Sequence, residues 1–217
     1  YRATFETNIK KAVLIKKLDE QMLSFDFRKL SKALHPERDD LFHYLGAETL
    51  NERYIIKNPD TKHALETLQF FWMRVAMGIA LNEKNKEDRA IEFYEMISTF
   101  RFVPSTPTLF HSGMLRPQLS SCYLNVVEDD LEHIFKVYGD NAQLSKWAGG
   151  IGTSWSNLRG TGALIKKAGI SSQGVIPFLK IANDVTVAIN RSGRRRGATC
   201  VYLETWHYDI EDFLELR

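Results

Sequence analysis

Residues 104–130 read PSTPTLFHSGMLRPQLSSCYLNVVEDD, and the character of the chain changes across them. Ser120 and Ser121 precede Cys122, and Tyr123, Leu124, Val126 and Val127 follow it. That spacing predicts a half-buried strand over 119–127 whose side chains alternate between two faces. A ligand lying along such a strand can touch hydroxyl and sulfur together. Free cysteine is also among the most buried residue types, so an inert core thiol is the plainer reading of Cys122 taken alone.

Working outward, the pattern after Cys122 alternates between strand and helix. Asp129 is placed to cap a helix with Glu132 reaching back as its partner, and Leu131, Ile134, Tyr138 and Ala142 share one side of that helix. A short strand over 151–157, a helix over 174–190 and a strand over 198–204 follow, the last with Cys200 and Tyr202 on one face and Val201 and Leu203 on the other. A β-α-β-α-β series predicts parallel strands covered by helices. Upstream the chain reads as helices over 8–25, to near 45, over 61–82 and over 86–100. Leu65, Leu68, Phe71, Trp72, Val75 and Ile79 recur at helical spacing, and a packed face explains these aromatics better than a cofactor does. Residues 54–60 predict a short strand ending in an Asn-Pro-Asp turn. The expected organisation is a helical domain over 1–102 followed by an α/β domain over 103–217, with no internal repeat.

The chain has 217 residues, 44% of them hydrophobic, enough to bury a core in one large domain or two small ones. A net charge of +2, from 29 basic and 27 acidic residues, makes no global case for a nucleic-acid or membrane partner. Any anion site is therefore local. Two cysteines in a chain of this length do not make a disulfide scaffold, and no signal peptide is visible, which points to a reducing, cytoplasmic setting. The apolar run 70–81 is short and interrupted by Arg74, so it does not span a bilayer. The six histidines show no ligand spacing, and no metal site is assigned. The chain opens at Tyr1 and closes on a helical pattern with no stop signal, which reads as a piece of a longer polypeptide.

Further blocks follow in one order: LSKWAGGIG at 144–152, NLR at 157–159, GRRRGATC at 193–200 and LETWH at 203–207. With the Ser-Thr-Pro and Ser-Ser-Cys segments, they closely resemble the large, catalytic subunit of class I ribonucleotide reductase, densely from 102 onward and more weakly before it. B12-dependent relatives share some blocks, but PQLSSCYL at 117–124 looks closer to class I. The resemblance implies an α/β fold: a helical N-terminal domain followed by the first part of a ten-stranded α/β barrel.

It also implies chemistry. Removing a ribose 2′-hydroxyl takes a substrate radical, a proton for the leaving water, and two reducing equivalents that a thiol pair supplies by becoming a disulfide. By the resemblance Cys122 is one of that pair, its partner and the thiyl-radical cysteine lie beyond Arg217, and Cys200 matches no redox position, so no Cys122–Cys200 disulfide is expected. Thr106, Ser121, Gly150 and Arg195 carry over with Cys122 as contacts to a ribonucleoside diphosphate, the choice among Arg194, Arg195 and Arg196 remaining open. Asp129, Asp130 and Leu131 carry over to the sugar end of a deoxynucleoside triphosphate or ATP effector, and Lys146, Arg159, Lys166 and Lys167 to its phosphates. Each such charge pair is worth about 4 kcal/mol at about 4 Å for an effective dielectric of about 20. The family further implies a radical-generating small subunit holding a dimetal-tyrosyl cofactor, thioredoxin or glutaredoxin as reductant, and a homodimer paired through the helix over 130–148. No cofactor is expected on this chain itself.

Other readings of the same residues stay open. Thr106 in its Ser-Thr-Pro-Thr turn suits local backbone capping, Gly150 suits a helix C-cap, and Lys166 and Lys167 suit a solvated surface. The chain alone is also readable as a nucleotide-binding or assembly module of a split enzyme, inactive because the radical cysteine is absent. The triple arginine on its own would suit an RNA contact.

Overall fold

The computed structural model describes residues 1–147, 149–166, 168–189 and 198–216. They form two compact units, Tyr1–Leu119 and Ser120–Arg217. The first is helical: α1 (Phe5–Leu14), α2 (Phe27–Lys32), α3 (Tyr44–Arg53), α4 (Leu68–Ala80), α5 (Lys86–Ser98) and α6 (Thr106–His111), joined by three short 3-10 turns. The periodic stripe predicted for 61–82 becomes α4, but it starts only at Leu68, where the Thr67 hydroxyl accepts the Phe70 amide. The expected helix over 8–25 stops at Leu14, since Lys16 adopts a left-handed φ of 56° that no helix continues through. In place of a strand at 54–60 there is a single bridge, Lys57 to Ala64, and Asn58 closes the turn by accepting the Asp60 and Thr61 amides.

α4 is buried nearly all round, and its one charged residue organises what surrounds it. Arg74 is fully buried and pairs with Glu66 at 2.8 Å. Its remaining guanidinium donors reach the carbonyls of Leu109 at 3.2 Å and Ser112 at 2.9 Å, while Glu66 accepts the Ile56 amide at 2.9 Å. Ser112 donates back to the Val75 carbonyl at 2.7 Å. Residues 103–119, which the sequence pattern groups with the α/β domain, thus pack within the first unit, tied to α4 through these bonds.

The second unit is α/β: β1 (Cys122–Val126), α7 (Leu131–Lys146), β2 (Gly150–Ser154), β3 (Thr161–Ile165), β4 (Ile170–Gln173), α8 (Ile176–Ile189), β5 (Ala198–Tyr202) and α9 (Ile210–Leu214). β1, β2 and β5 form a parallel sheet in that order, so each crossover moves one strand in the same direction, as barrel winding requires. α7 and α8 pack together over one face, where Ile134, Val137, Tyr138, Leu179 and Ala182 join Val127 and Trp155 in the core. The other face is bare, with Leu124 81% exposed. β3 and β4 make an antiparallel hairpin between β2 and α8 that the sequence pattern did not reveal. No described helix is long and apolar enough to cross a membrane.

The helix α7 also corrects an expectation. Its cap is Asp130, whose carboxylate accepts the His133 amide at 3.0 Å; Asp129, expected in that role, turns to Arg159 instead. The one-residue shift follows from the helix starting at Leu131.

The buried Arg74–Glu66 pair gives a stability test. Arg74→Met should leave Glu66 buried without its cation and destabilise the protein by about 3–5 kcal/mol in urea denaturation, while Arg74→Met with Glu66→Met should recover much of that loss. Equal destabilisation in both variants would show that the carboxylate does not depend on Arg74.

Candidate functional site

The carboxyl ends of β1 and β2 open into a hollow of about 650 Å³. Parallel strands deliver their following loops to the same end of a sheet, so residues far apart in sequence meet there. Asp129, Asp130 and Leu131 enter from the turn before α7, Arg159 from the turn after β2, and Lys166 from just beyond β3. Ile134, Leu164 and Phe178 supply apolar lining. An aspartate paired with an arginine, a lysine and apolar walls suit a ligand with a hydroxylated sugar, a polyanion and a flat base.

The two aspartates divide their work. Asp130 gives one carboxylate oxygen, Oδ2, to the His133 amide of α7, whereas Asp129 holds Arg159, with the Nε donating to Oδ2 at 2.8 Å and to Oδ1 at 3.0 Å. Because this pair engages Nε, it orients the guanidinium without consuming its terminal nitrogens. Both side chains are about one-third exposed, so the pair is worth more for direction than for stability. Lys146 is not brought to this hollow. It lies in the last turn of the 16-residue α7, which puts it about 20 Å or more from Asp130 along the helix axis. Lys167 and Arg195 lie outside the described residues, as do Arg194 and Arg196.

Cys122 sits on the bare face of the sheet. In the register Cys122 lies level with Gly150 and Ala198, and Leu124 with Gly152 and Cys200. Both thiols are exposed and free. The Ser121 hydroxyl lies 3.7 Å from the Cys122 sulfur. A Cβ on Gly150 would stand 3.3 Å from the Ser121 carbonyl and 3.9 Å from that sulfur, so glycine keeps the approach to the thiol open. The Gly150 amide is already spent on the Ser121 carbonyl at 2.8 Å, and it is Gly149 whose amide closes α7, bonding the Leu144 carbonyl. Gly150 therefore contributes space and strand pairing, not a donor for an anion.

Thr106 belongs to the first unit, where it opens α6 with its hydroxyl 3.4 Å from the Tyr54 hydroxyl. Among the described residues no group of three or more His, Cys, Asp or Glu is gathered as a metal site.

Sequence reasoning gave no role to Tyr202, His207 or Asp209. Tyr202 shares the bare face and leans over Gly152, its ring 3.0 Å from where a Cβ would be. A hydrogen bond with Cys200 raises its phenol above the usual range, with the charges of Cys200 and Cys122 acting the same way. His207 and Asp209 are buried behind the hollow and bond mainly to backbone, which leaves no spacing signature to find.

Comparison with known proteins gives these features a family. The family model described as "Ribonucleotide reductase, barrel domain" matches residues 120–217, and "Ribonucleotide reductase, all-alpha domain" matches residues 40–117. The chain is 56% identical over 202 residues to the ribonucleoside-diphosphate reductase subunit alpha of Chlamydia pneumoniae, covering 93% of this chain and 19% of that protein. It is 43% identical over 213 residues to the subunit alpha of Helicobacter pylori strain J99, covering 98% of this chain and 26% of that protein. It is 40% identical over 191 residues to the large subunit of Arabidopsis thaliana, covering 87% of this chain and 23% of that protein. The chain thus spans about a fifth to a quarter of the length of these relatives. Its helical unit and its parallel β1-β2-β5 sheet accordingly belong to the ribonucleotide reductase large-subunit family, as part of the all-alpha domain followed by the start of the barrel domain.

Proposed function

We propose that the chain supplies the effector-binding region and the first reducing thiol of an enzyme that converts ribonucleoside diphosphates to deoxyribonucleoside diphosphates for DNA synthesis. One observation carries this reading: a hollow lined by the Asp129–Arg159 pair and by Lys166 opens at the strand ends of the sheet whose bare face presents Cys122. In that reading a deoxynucleoside triphosphate or ATP occupies the hollow. Arg159, aimed by Asp129, and Lys166 meet the phosphates, while Asp130 and Leu131 meet the sugar.

Cys122 gives one of two thiol hydrogens when the substrate's 2′-hydroxyl leaves as water. Its sulfur then joins that of a cysteine carried elsewhere in the complete large subunit, so two electrons and two protons pass to the substrate and a disulfide remains. Thioredoxin or glutaredoxin restores the thiols. Thr106 and the Ser121 hydroxyl beside the sulfur are assigned to the substrate's sugar or phosphate oxygens, Arg195 to its base or phosphate, and Gly150 to the room it needs. The radical that starts the reaction comes from a small subunit with a dimetal-tyrosyl cofactor, and the enzyme works in the cytoplasm.

The same reading includes a homodimer. α7 exposes Leu131 (61%) and Phe135 (55%) on the side away from the core, with Gly139 next along that stripe leaving room for close approach. Two α7 helices paired antiparallel about a two-fold axis bring the Lys146 of one copy beside the capped end of the other. This arrangement reconciles the distance of Lys146 from its own hollow with a role at the phosphates.

Two measurements test these proposals. In calorimetry, the chain should bind dTTP or dATP, and Arg159→Ala should weaken binding about tenfold or more, the loss of a charge-assisted contact. Folded wild-type protein that binds neither nucleotide would contradict the reading. In light scattering, wild type should run as a dimer and Phe135→Glu as a monomer. A wild-type monomer at every concentration would remove the proposed pairing.

A further inference from the structure

Behind the proposed effector hollow, residues 207–209 grip its wall at several points. The Asp209 carboxylate is buried, and its two oxygens serve two different amides: Oδ1 accepts Thr161 N–H at 2.8 Å and Oδ2 accepts Val175 N–H at 2.9 Å. Thr161 begins β3 and Val175 directly precedes α8, so one carboxylate fixes both roots of the β3–β4 hairpin. Gly174, with a φ of 72°, lies against this carboxylate and the Thr161 hydroxyl, with no space for a side chain. The His207 ring spans to the next segment, with Nε2 2.7 Å from the Leu158 carbonyl and Nδ1 accepting the Asp209 amide at 3.1 Å. That pattern places the ring proton on Nε2. Between them Tyr208 backs onto Gly160, where a Cβ would come within 2.7 Å of the tyrosine Cβ.

Every gripped point adjoins a residue that lines the hollow. Leu158 precedes Arg159, the hairpin rooted at Thr161 carries Leu164, Ile165 and Lys166, and Gly174 itself lines the space. The wall would otherwise be loose, because β3 and β4 bury little apolar surface: Leu164 is 62% and Ile170 60% exposed. A two-stranded hairpin without a packed face does not hold its position unaided. Burial alone would raise the Asp209 carboxyl's pKa, but the Thr161 and Val175 amides outweigh it and hold the group below the usual aspartate range, so it is an anion at neutral pH.

We propose that Asp209, locked by His207, is a positioning residue for the triphosphate: it sets where the hairpin cation and Arg159 stand, without touching the nucleotide. This rests on the nucleotide reading of the hollow. Asp209→Asn preserves size but puts an NH2 opposite one of the two amides, so that hydrogen bond is lost and two donors face each other.

The test uses the 217-residue chain and dTTP. Asp209→Asn should speed amide hydrogen exchange at Thr161 and Val175 by about tenfold or more, leave 131–146 protected, and weaken dTTP binding by about tenfold, as loss of a charge-assisted hydrogen bond implies. In wild type, saturating dTTP should slow exchange at the same two amides, since coupling between positioning and binding is reciprocal. That measurement decides the matter even if the variant does not fold. Unchanged exchange at both amides in the variant, unchanged dTTP affinity, or wild-type amides indifferent to bound dTTP would overturn the proposal. If wild type binds neither dTTP nor dATP, the nucleotide reading fails, and the variant's exchange still decides whether Asp209 holds the hairpin.

Discussion

The parallel pairing of β1 with β2, in a register that sets Cys122 against Gly150 and Leu124 against Gly152, is the constraint from which the second unit's chemistry follows. Parallel strands need long crossovers, and α7 and α8 both return over the same face. That face becomes a core around Trp155 and Tyr138, and the opposite face is left to Cys122, Cys200 and Tyr202. Gly150 in the central strand keeps the bare face low beside Cys122, and Gly152 makes room for Leu124 and Tyr202. The same pairing gathers the strand ends, so the turns carrying Asp129 and Arg159 meet at one rim. The exposed thiol and the hollow at the rim are thus two consequences of one register, and a one-residue slip would turn Cys122 toward the helices.

Each unit is also organised by one buried carboxylate serving backbone amides. In the first, Glu66 holds the Ile56 amide and neutralises Arg74, which in turn reaches the carbonyls of Leu109 in α6 and of Ser112 just after it. In the second, Asp209 holds two amides at the roots of a hairpin. Both devices fix loops that hydrophobic packing alone would leave loose, and both place those loops next to residues assigned to binding: Thr106 in the first case, Arg159 and Lys166 in the second. A buried carboxylate that loses its donors is costly, so the loops are held to a narrow set of positions.

How much of this was legible in the sequence depends on where each signal lies. The helices α4 and α5 are readable because large apolar residues recur in them at helical spacing, and β1 because its side chains alternate about Cys122. The overlong first helix was misread because Lys16 breaks it by backbone conformation, which its residue type does not announce. The β3–β4 hairpin was missed because both strands are largely exposed and so carry no apolar alternation. Asp129 and Asp130 stand side by side, and nothing in their identity tells which one caps; only the start of the helix decides it. Lys146 was grouped with Arg159 by resemblance, and the length of α7 separates them within one chain. Asp209 and His207 bond to main-chain groups, which every residue type provides, so no pairing of side chains marks them.

The central claim is that one rim of this sheet binds nucleotide while its bare face presents the thiol. An amide chemical-shift titration of the chain with dTTP tests it most directly. Nucleotide bound at the rim should shift Asp129, Asp130, Arg159 and Ser172 and leave Cys122–Val126 nearly unmoved. Shifts centred on Cys122–Val126, or none anywhere at saturating dTTP, would contradict it.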